Sequence, residues 1–147
     1  MQIWPYLPRL DAEAPSIKAV IKREPEDFVV EEVAAYEPCG QGEHLFLWIE
    51  KRDISAEGLL KHLAAHLKID RGDIGAAGMK DRRAITRQWV SVPAAAESRV
   101  DRVENKAIRV LKSVRHRNKL KTGHLVGNRF SIHVRGIAKP LRESVLA

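Results

Sequence analysis

Cysteine is nearly absent: Cys39 is the single one in 147 residues. That excludes an internal disulfide and a thiolate metal cluster, and it fits a reduced, cytoplasmic setting. No apolar run approaches the roughly 20 residues that cross a bilayer as a helix, so no membrane partner is expected. Met1-Gln2-Ile3-Trp4-Pro5 carries neither the basic nor the apolar region of a secretory signal. Repeats and low-complexity tracts are lacking. Aspartate and glutamate are missing altogether between residues 106 and 135.

That last gap gives the charge its shape. The chain carries a net +7 and a pI near 9.8, a balance that favours polyanionic partners. Within the acid-free interval stand Lys106, Arg109, Lys112, Arg115, Arg117, Lys119, Lys121, Arg129 and Arg135. Ile108, Val110, Leu111, Val114 and Phe130 are interleaved with them, so this is folded structure and not a basic tail. At 44% hydrophobic and 31% charged, the whole is ordinary for one folded domain.

The pattern along the chain predicts an α+β fold with a largely antiparallel sheet and flanking helices. Residues 1–15 read as an extended leader. Two short strands are expected between Ala19 and Val33, broken at Pro25-Glu26-Asp27, and another over His44–Glu50. Ser55 can cap a helix whose apolar stripe is Ala56, Leu59, Leu60, Leu63, Ala64 and Leu67. Ile74–Gly78 reads as a small-residue buried strand, delivering the chain into a charged loop, Met79–Arg83. Trp89–Val92, Ile108–Val114 and Phe130–Val134 read as strands, Ala94–Val103 as weakly helical, and Pro140–Ala147 as the start of a helix.

Several constellations fail on inspection. His62 and His66 have the i, i+4 spacing of metal ligands. Leu63 stands where the zincin pattern needs glutamate, and no third ligand is near, so two solvated or RNA-facing histidines are expected and no metal. Gly40-Gln41-Gly42 lacks the third glycine of a dinucleotide loop, and Asp81 occupies the position where a phosphate loop needs serine or threonine.

Asp81 itself lies between Lys80 and Arg82-Arg83 at the mouth of a glycine-rich segment. Such cations favour the ionised carboxylate, which in an RNA-binding groove can attack a carbon or stabilise positive charge. The alternative is a salt-bridged surface loop, and composition alone favours it. Gly127-Asn128-Arg129-Phe130 reads as a turn offering an aromatic face for stacking and an amide for reading a base edge. Alternatively Phe130 opens a strand and fills the core, and Phe28 carries the same ambiguity.

Three motifs in order change the weighing. Lys22–Glu32 (KREPEDFVVEE), Gly78–Gln88 (GMKDRRAITRQ) and Gly123–Phe130 (GHLVGNRF), with the Gly42-Glu43-His44 strand between the first two, resemble the tRNA pseudouridine synthase family TruD. The likeness spans most of residues 17–135. It implies a pseudouridine-synthase-like mixed sheet, with Asp81 as the catalytic aspartate. Phe28 and Asn128 would contact the target nucleotide, Phe130 lies in the same motif, and Lys22 would be a basic partner of the carboxylate. Lys80, Arg82, Arg83, Arg115, Arg117, Lys119, Lys121 and Arg129 are the expected RNA contacts.

The resemblance further implies a tRNA partner, isomerisation of uridine (uridine-13 in bacterial members) to pseudouridine, and no metal or organic cofactor. A desolvated, ionised Asp81 would attack ribose C1′ or uracil C6. Family members are more than twice as long and carry an inserted second domain and a later returning segment. Residues 1–147 therefore read as the amino-terminal portion of an incomplete catalytic domain.

Overall fold

A computed structural model of the chain describes residues 19–136; the expected leader and the helix start at Pro140 lie outside them. Six strands form one sheet: β1 (Phe28–Ala34), β2 (His44–Arg52), β3 (Gly75–Ala76), β4 (Ile85–Pro93), β5 (Ile108–His116) and β6 (Leu125–Ile132). Their order is β5-β2-β4-β1-β6, with β3 pairing on β4. Only β1 and β4 run parallel, and only over Val29–Glu31 against Ile85–Arg87. Every other pairing between these strands is antiparallel. The α+β, largely antiparallel expectation holds.

One helix, α1 (Ala56–Leu67), packs on the sheet beside a 3-10 segment, Ala94–Val103. Ser55 caps α1, its Oγ accepting from the Gly58 amide at 3.0 Å, which satisfies one of the orphan donors of the first turn. Lys68 ends it in the left-handed region at φ 54°. The alternation of β2 sends Leu45, Leu47 and Ile49 to one face, where Val90 and Val92 of β4 join them. Leu59, Leu63 and Leu67, spaced four apart on α1, close over that face. Each fully buried leucine contributes about 1.5–3 kcal/mol, so this layer anchors the β5-β2-β4 half of the sheet.

Four expected elements differ. The first of the two strands expected between Ala19 and Val33 is only an isolated bridge of Val20 with Arg135. The strand over Ile74–Gly78 shrinks to Gly75–Ala76, because the chain between residues 77 and 84 leaves the sheet to form the Asp81 loop. Gly75 is needed there for close approach: a Cβ would sit 2.1 Å from the Leu120 carbonyl oxygen. Strand β4 begins at Ile85 instead of Trp89; Thr86 and Gln88 point inward and hide the alternation. Gly127–Phe130 is not a turn but the middle of β6, pairing antiparallel along β1 from Leu125 to Ile132.

The segment ahead of β1 is tied down by one carboxylate. Asp27, 1% exposed, takes both Nε (2.6 Å) and an Nη (2.8 Å) of Arg135 and the Glu24 amide at 3.2 Å. Val20 and Arg135 exchange backbone hydrogen bonds alongside. The bidentate guanidinium, aided by the Glu24 amide and the nearby His133, holds the Asp27 carboxyl down from 3.8 to about 2. A carboxyl held low in the folded state adds stability that is complete above 3.8 and disappears as the pH falls through about 2. Asp27→Asn is therefore expected to unfold at lower urea than the parent at neutral pH. That gap in midpoint closes between 3.8 and about 2; urea midpoints across this range, with a constant gap, would contradict the assignment.

Candidate active site

One row of the sheet register organises the site. Ile108, Lys51, Thr86, Val30 and Phe130 are successive cross-strand partners on β5, β2, β4, β1 and β6. Partners in a row share a face, here the face on which α1 packs farther along β2. Ile108, Lys51, Thr86 and Val30 are buried. Phe130, at the open end, is 54% exposed, so it does not fill the core. Asn128 lies two residues away on the same side of β6, also exposed.

The Asp81 loop folds over this row. Ala84, at its end, is buried with Phe28 and Val30, and its carbonyl accepts from the Asp53 amide at 3.1 Å. Asp81 Oδ2 is 3.2 Å from Lys22 Nζ. The same ammonium stands 4.1 Å from the centroid of the Phe28 ring, within cation–π range. Phe28 in turn lies 5.7 Å from Phe130, centroid to centroid. Lys22 has φ 54°, and Arg83 holds its backbone by donating to the carbonyls of Lys22 (2.8 Å) and Arg23 (2.9 Å). The structure thus brings together Asp81, Lys22, Phe28 and Phe130.

Asp81 is not desolvated as the sequence reading requires. Its side chain is 58% exposed, because the loop stands at the uncovered end of the row and none of the described residues closes over it. An ion pair so exposed contributes at most about 1 kcal/mol to stability. Its effect is to aim a carboxylate and an ammonium at one point beside an exposed aromatic face. Such an arrangement can stack a planar ring and present a nucleophilic oxygen to it.

The expected RNA contacts divide. Lys80 is a correction: it is buried, its Nζ 3.2 Å from Glu32, with side chains 2% and 1% exposed. Glu32 also accepts the Trp89 amide at 3.4 Å, bridging β1 to β4 beyond the last parallel pair. Arg83 spends its guanidinium on the Lys22 segment, whereas Arg82 is exposed and only 3.8 Å from Asp53. Arg115 pairs with Glu97 at 2.6 Å, and Arg129 with Glu31 at 3.6 Å. These two arginines sit on β5 and β6, the opposite edges of the sheet path. Lys119 donates to the Gly72 carbonyl; Arg117 and Lys121 are exposed in the loop joining β5 to β6. Arg109, Glu50, Arg87, Glu31 and Arg129 form an ion-pair ladder from edge to edge, one row from Lys51 and on the other face. His62 donates to the Val103 carbonyl at 2.7 Å and His66 to the His62 carbonyl at 2.9 Å, so His62 faces protein and not solvent.

Two residues escaped the sequence reading. Glu32 stands in the opening motif without a role of its own. Lys51 carried a usable signal: Leu45, Leu47 and Ile49 point inward, and Lys51 continues their alternation. A lysine at an inward position of a strand is uncommon enough to question.

The fold itself has a solved counterpart. A structure from Methanosarcina mazei, assigned as a tRNA pseudouridine synthase D, superposes with a TM-score of 0.80 at 31% identity, covering 91% of this chain and 31% of that one. The two share an α+β pseudouridine-synthase-type fold. The sequence profile described as tRNA pseudouridine synthase D (TruD) matches residues 10–146, and the chain belongs to that family. A tRNA pseudouridine synthase D of Geobacter metallireducens is 48% identical over 141 residues, covering 94% of this chain and 35% of the relative. One from Geobacter sp. strain M21 is 50% identical over 130 residues, covering 88% and 33%. The chain spans about a third of the length of these relatives.

The buried pair behind Asp81 gives a direct test. Lys80→Met would leave the Glu32 carboxylate buried and uncompensated, a loss of about 3–5 kcal/mol. The double exchange Lys80→Met with Glu32→Gln keeps an acceptor for the Trp89 amide and is expected to recover most of that loss. Chemical denaturation of the two variants reads the difference; equal losses would mean the ion pair is not what the burial costs depend on.

Proposed function

We propose that this chain supplies the Asp81-bearing part of a cytoplasmic tRNA pseudouridine synthase, isomerising uridine to pseudouridine in tRNA, with uridine-13 as the target. The observation that carries this reading is the Lys22–Asp81 pair at 3.2 Å, seated over Phe28 beside an aromatic ring that the fold leaves exposed. A base extruded from its stack finds the Phe130 face for stacking and the Asn128 amide for its edge. Lys22 is the counter-ion of the Asp81 carboxylate, 3.2 Å away. The carboxylate attacks ribose C1′, displacing uracil from N1, or adds to uracil C6. In either course the glycosidic bond breaks, uracil rotates, C5 bonds to C1′, the enzyme carboxylate is released and the C5 proton leaves. This sequence needs no metal or organic cofactor.

A second reading, an RNA-binding piece without turnover, is favoured by one observation: Asp81 is 58% exposed, and nucleophilic attack by a carboxylate is helped by exclusion of water.

Pseudouridine formation in unmodified tRNA by the 147-residue chain separates the two. Asp81→Ala is expected to abolish product while leaving tRNA affinity near the parent value. Loss of affinity instead would make Asp81 structural, and no product from the parent with tRNA still bound would favour the second reading. Exchange of both Lys119 and Lys121 to alanine is expected to reduce the salt dependence of tRNA binding by up to about 2 in the log–log slope. An unchanged slope would remove that loop from the interface.

A further inference from the structure

We propose that Lys51 is the positioning residue of the Asp81 loop: its buried ammonium grips the Asp81 backbone from the protein side and fixes where the carboxylate stands. The proposal rests on the reading of Asp81 as the reactive carboxylate. Lys51 is 0% exposed, and its Nζ donates to two backbone carbonyls, that of Asp81 at 2.9 Å and that of Ile54 at 2.7 Å. Among the described residues it makes no ion pair. A lysine in that position is costly, since an ammonium taken from water loses its hydration unless polar groups replace it. Its cross-strand neighbours are Ile108 on β5 and Thr86 on β4, and Ile49 precedes it on the same face. What the ammonium supplies and methionine cannot is the pair of bonds to the loop and to the turn.

Those bonds join two segments far apart in sequence. Ile54 immediately precedes Ser55, the cap of α1, and packs, partly buried, against the core. Asp53, between them, donates its amide to the Ala84 carbonyl at 3.1 Å. The loop is thereby held at Asp81 by Lys51 of β2 and at Ala84 by the turn between β2 and α1. Lys22 holds the same Asp81 from the solvent side through Oδ2. One lysine fixes the backbone and the other the carboxylate. Reactive groups held in this way keep the sub-ångström placement that efficient attack requires.

The charged groups that face Lys51 are Asp81, which favours its protonated form, and Lys80, which opposes it. Burial is the dominant influence and pushes the Lys51 ammonium down from 10.5 to about 8. The grip should therefore weaken as the pH rises through that value, when the charge that strengthens both hydrogen bonds is lost.

The test uses the full chain, labelled with carbon-13 and nitrogen-15, as parent, Lys51→Met, Lys51→Arg and, for comparison, Leu63→Ala. The readouts are the Asp81 carbonyl carbon shift, followed with pH, and hydrogen exchange at the amides of Asp53 and Ala84, whose hydrogen bonds hold the loop. In the parent, the Asp81 carbonyl should titrate with a midpoint near 8. Lys51→Met should displace that resonance, remove its inflection and lower loop protection by tenfold or so, as expected for local opening. Lys51→Arg, still cationic, should restore part of the protection without the inflection. Leu63→Ala should lower overall stability and leave the Asp81 resonance in place.

A Lys51→Met variant with parental Asp81 shift and loop protection would overturn the proposal. Should that variant fail to fold, a parent whose Asp81 carbonyl shows no inflection as Lys51 deprotonates would overturn it equally. Where the parent turns over uridine, Lys51→Met should cut kcat by about 100-fold with KM little changed, the scale of a misplaced reactive group; an unchanged kcat counts against it. An Asp81→Ala variant that remained active would remove the nucleophile reading while leaving the titration result for Lys51 standing.

Discussion

Two strands that run the same way begin at the same end of a sheet. The three-residue parallel contact between β1 and β4 is short, yet everything at the candidate site depends on it. The segment entering β1 carries Lys22 and the loop entering β4 carries Asp81, and they are 59 positions apart in sequence. Parallel pairing sets them side by side; antiparallel pairing would send them to opposite ends. Strand β2, antiparallel to β4, finishes at that same end and delivers Lys51 and the start of α1. Strand β6, antiparallel to β1, arrives there with Phe130. Parallel strands need a crossover, and here the crossover contains β2, α1 and β3, which supply the brace for the loop.

The elements that could be read from the sequence were those with a strong local signal. Strand β2 shows an unbroken apolar run from Leu45 to Ile49, buried on both faces, and α1 shows both its cap and its apolar stripe. The first half of β4 has no such signal, because Thr86 and Gln88 put polar atoms where the pattern calls for apolar ones. The glycine and asparagine of β6 resemble turn chemistry, but the open edge of β1 outweighs that local preference. Asp81, Lys22, Phe28 and Phe130 were legible as members of motifs. Their adjacency was not, since it follows from the direction of a strand pair that no local pattern encodes. Lys80 was misassigned for a related reason: a lysine beside Asp81 in a charged run gives no sign that Glu32 waits beneath it.

Charge tells a similar story. Read along the chain, the interval from Lys106 to Arg135 contains only positive charge. In three dimensions Arg109, Arg115, Arg129 and Arg135 each meet an acid from another segment. Of the interval's cations, Lys106, Lys112, Arg117 and Lys121 are exposed and meet no acid among the described residues. Net charge therefore speaks to long-range attraction toward polyanions, whereas fewer side chains are free for contact than the sequence displays.

The ion-pair ladder on the back of the sheet acts, in mechanical terms, as an indexing pin. Its individual contacts are half-exposed and weak, but Arg129 can reach Glu31 in only one alignment of β6 on β1. A slip of one residue reverses every side chain of a strand; it would carry Arg129 to the front and Phe130 to the back. The exposed aromatic on one side is thus held in place by a charge on the other. A substitution at Glu31, remote from any ligand, would loosen the alignment that decides which way Phe130 faces.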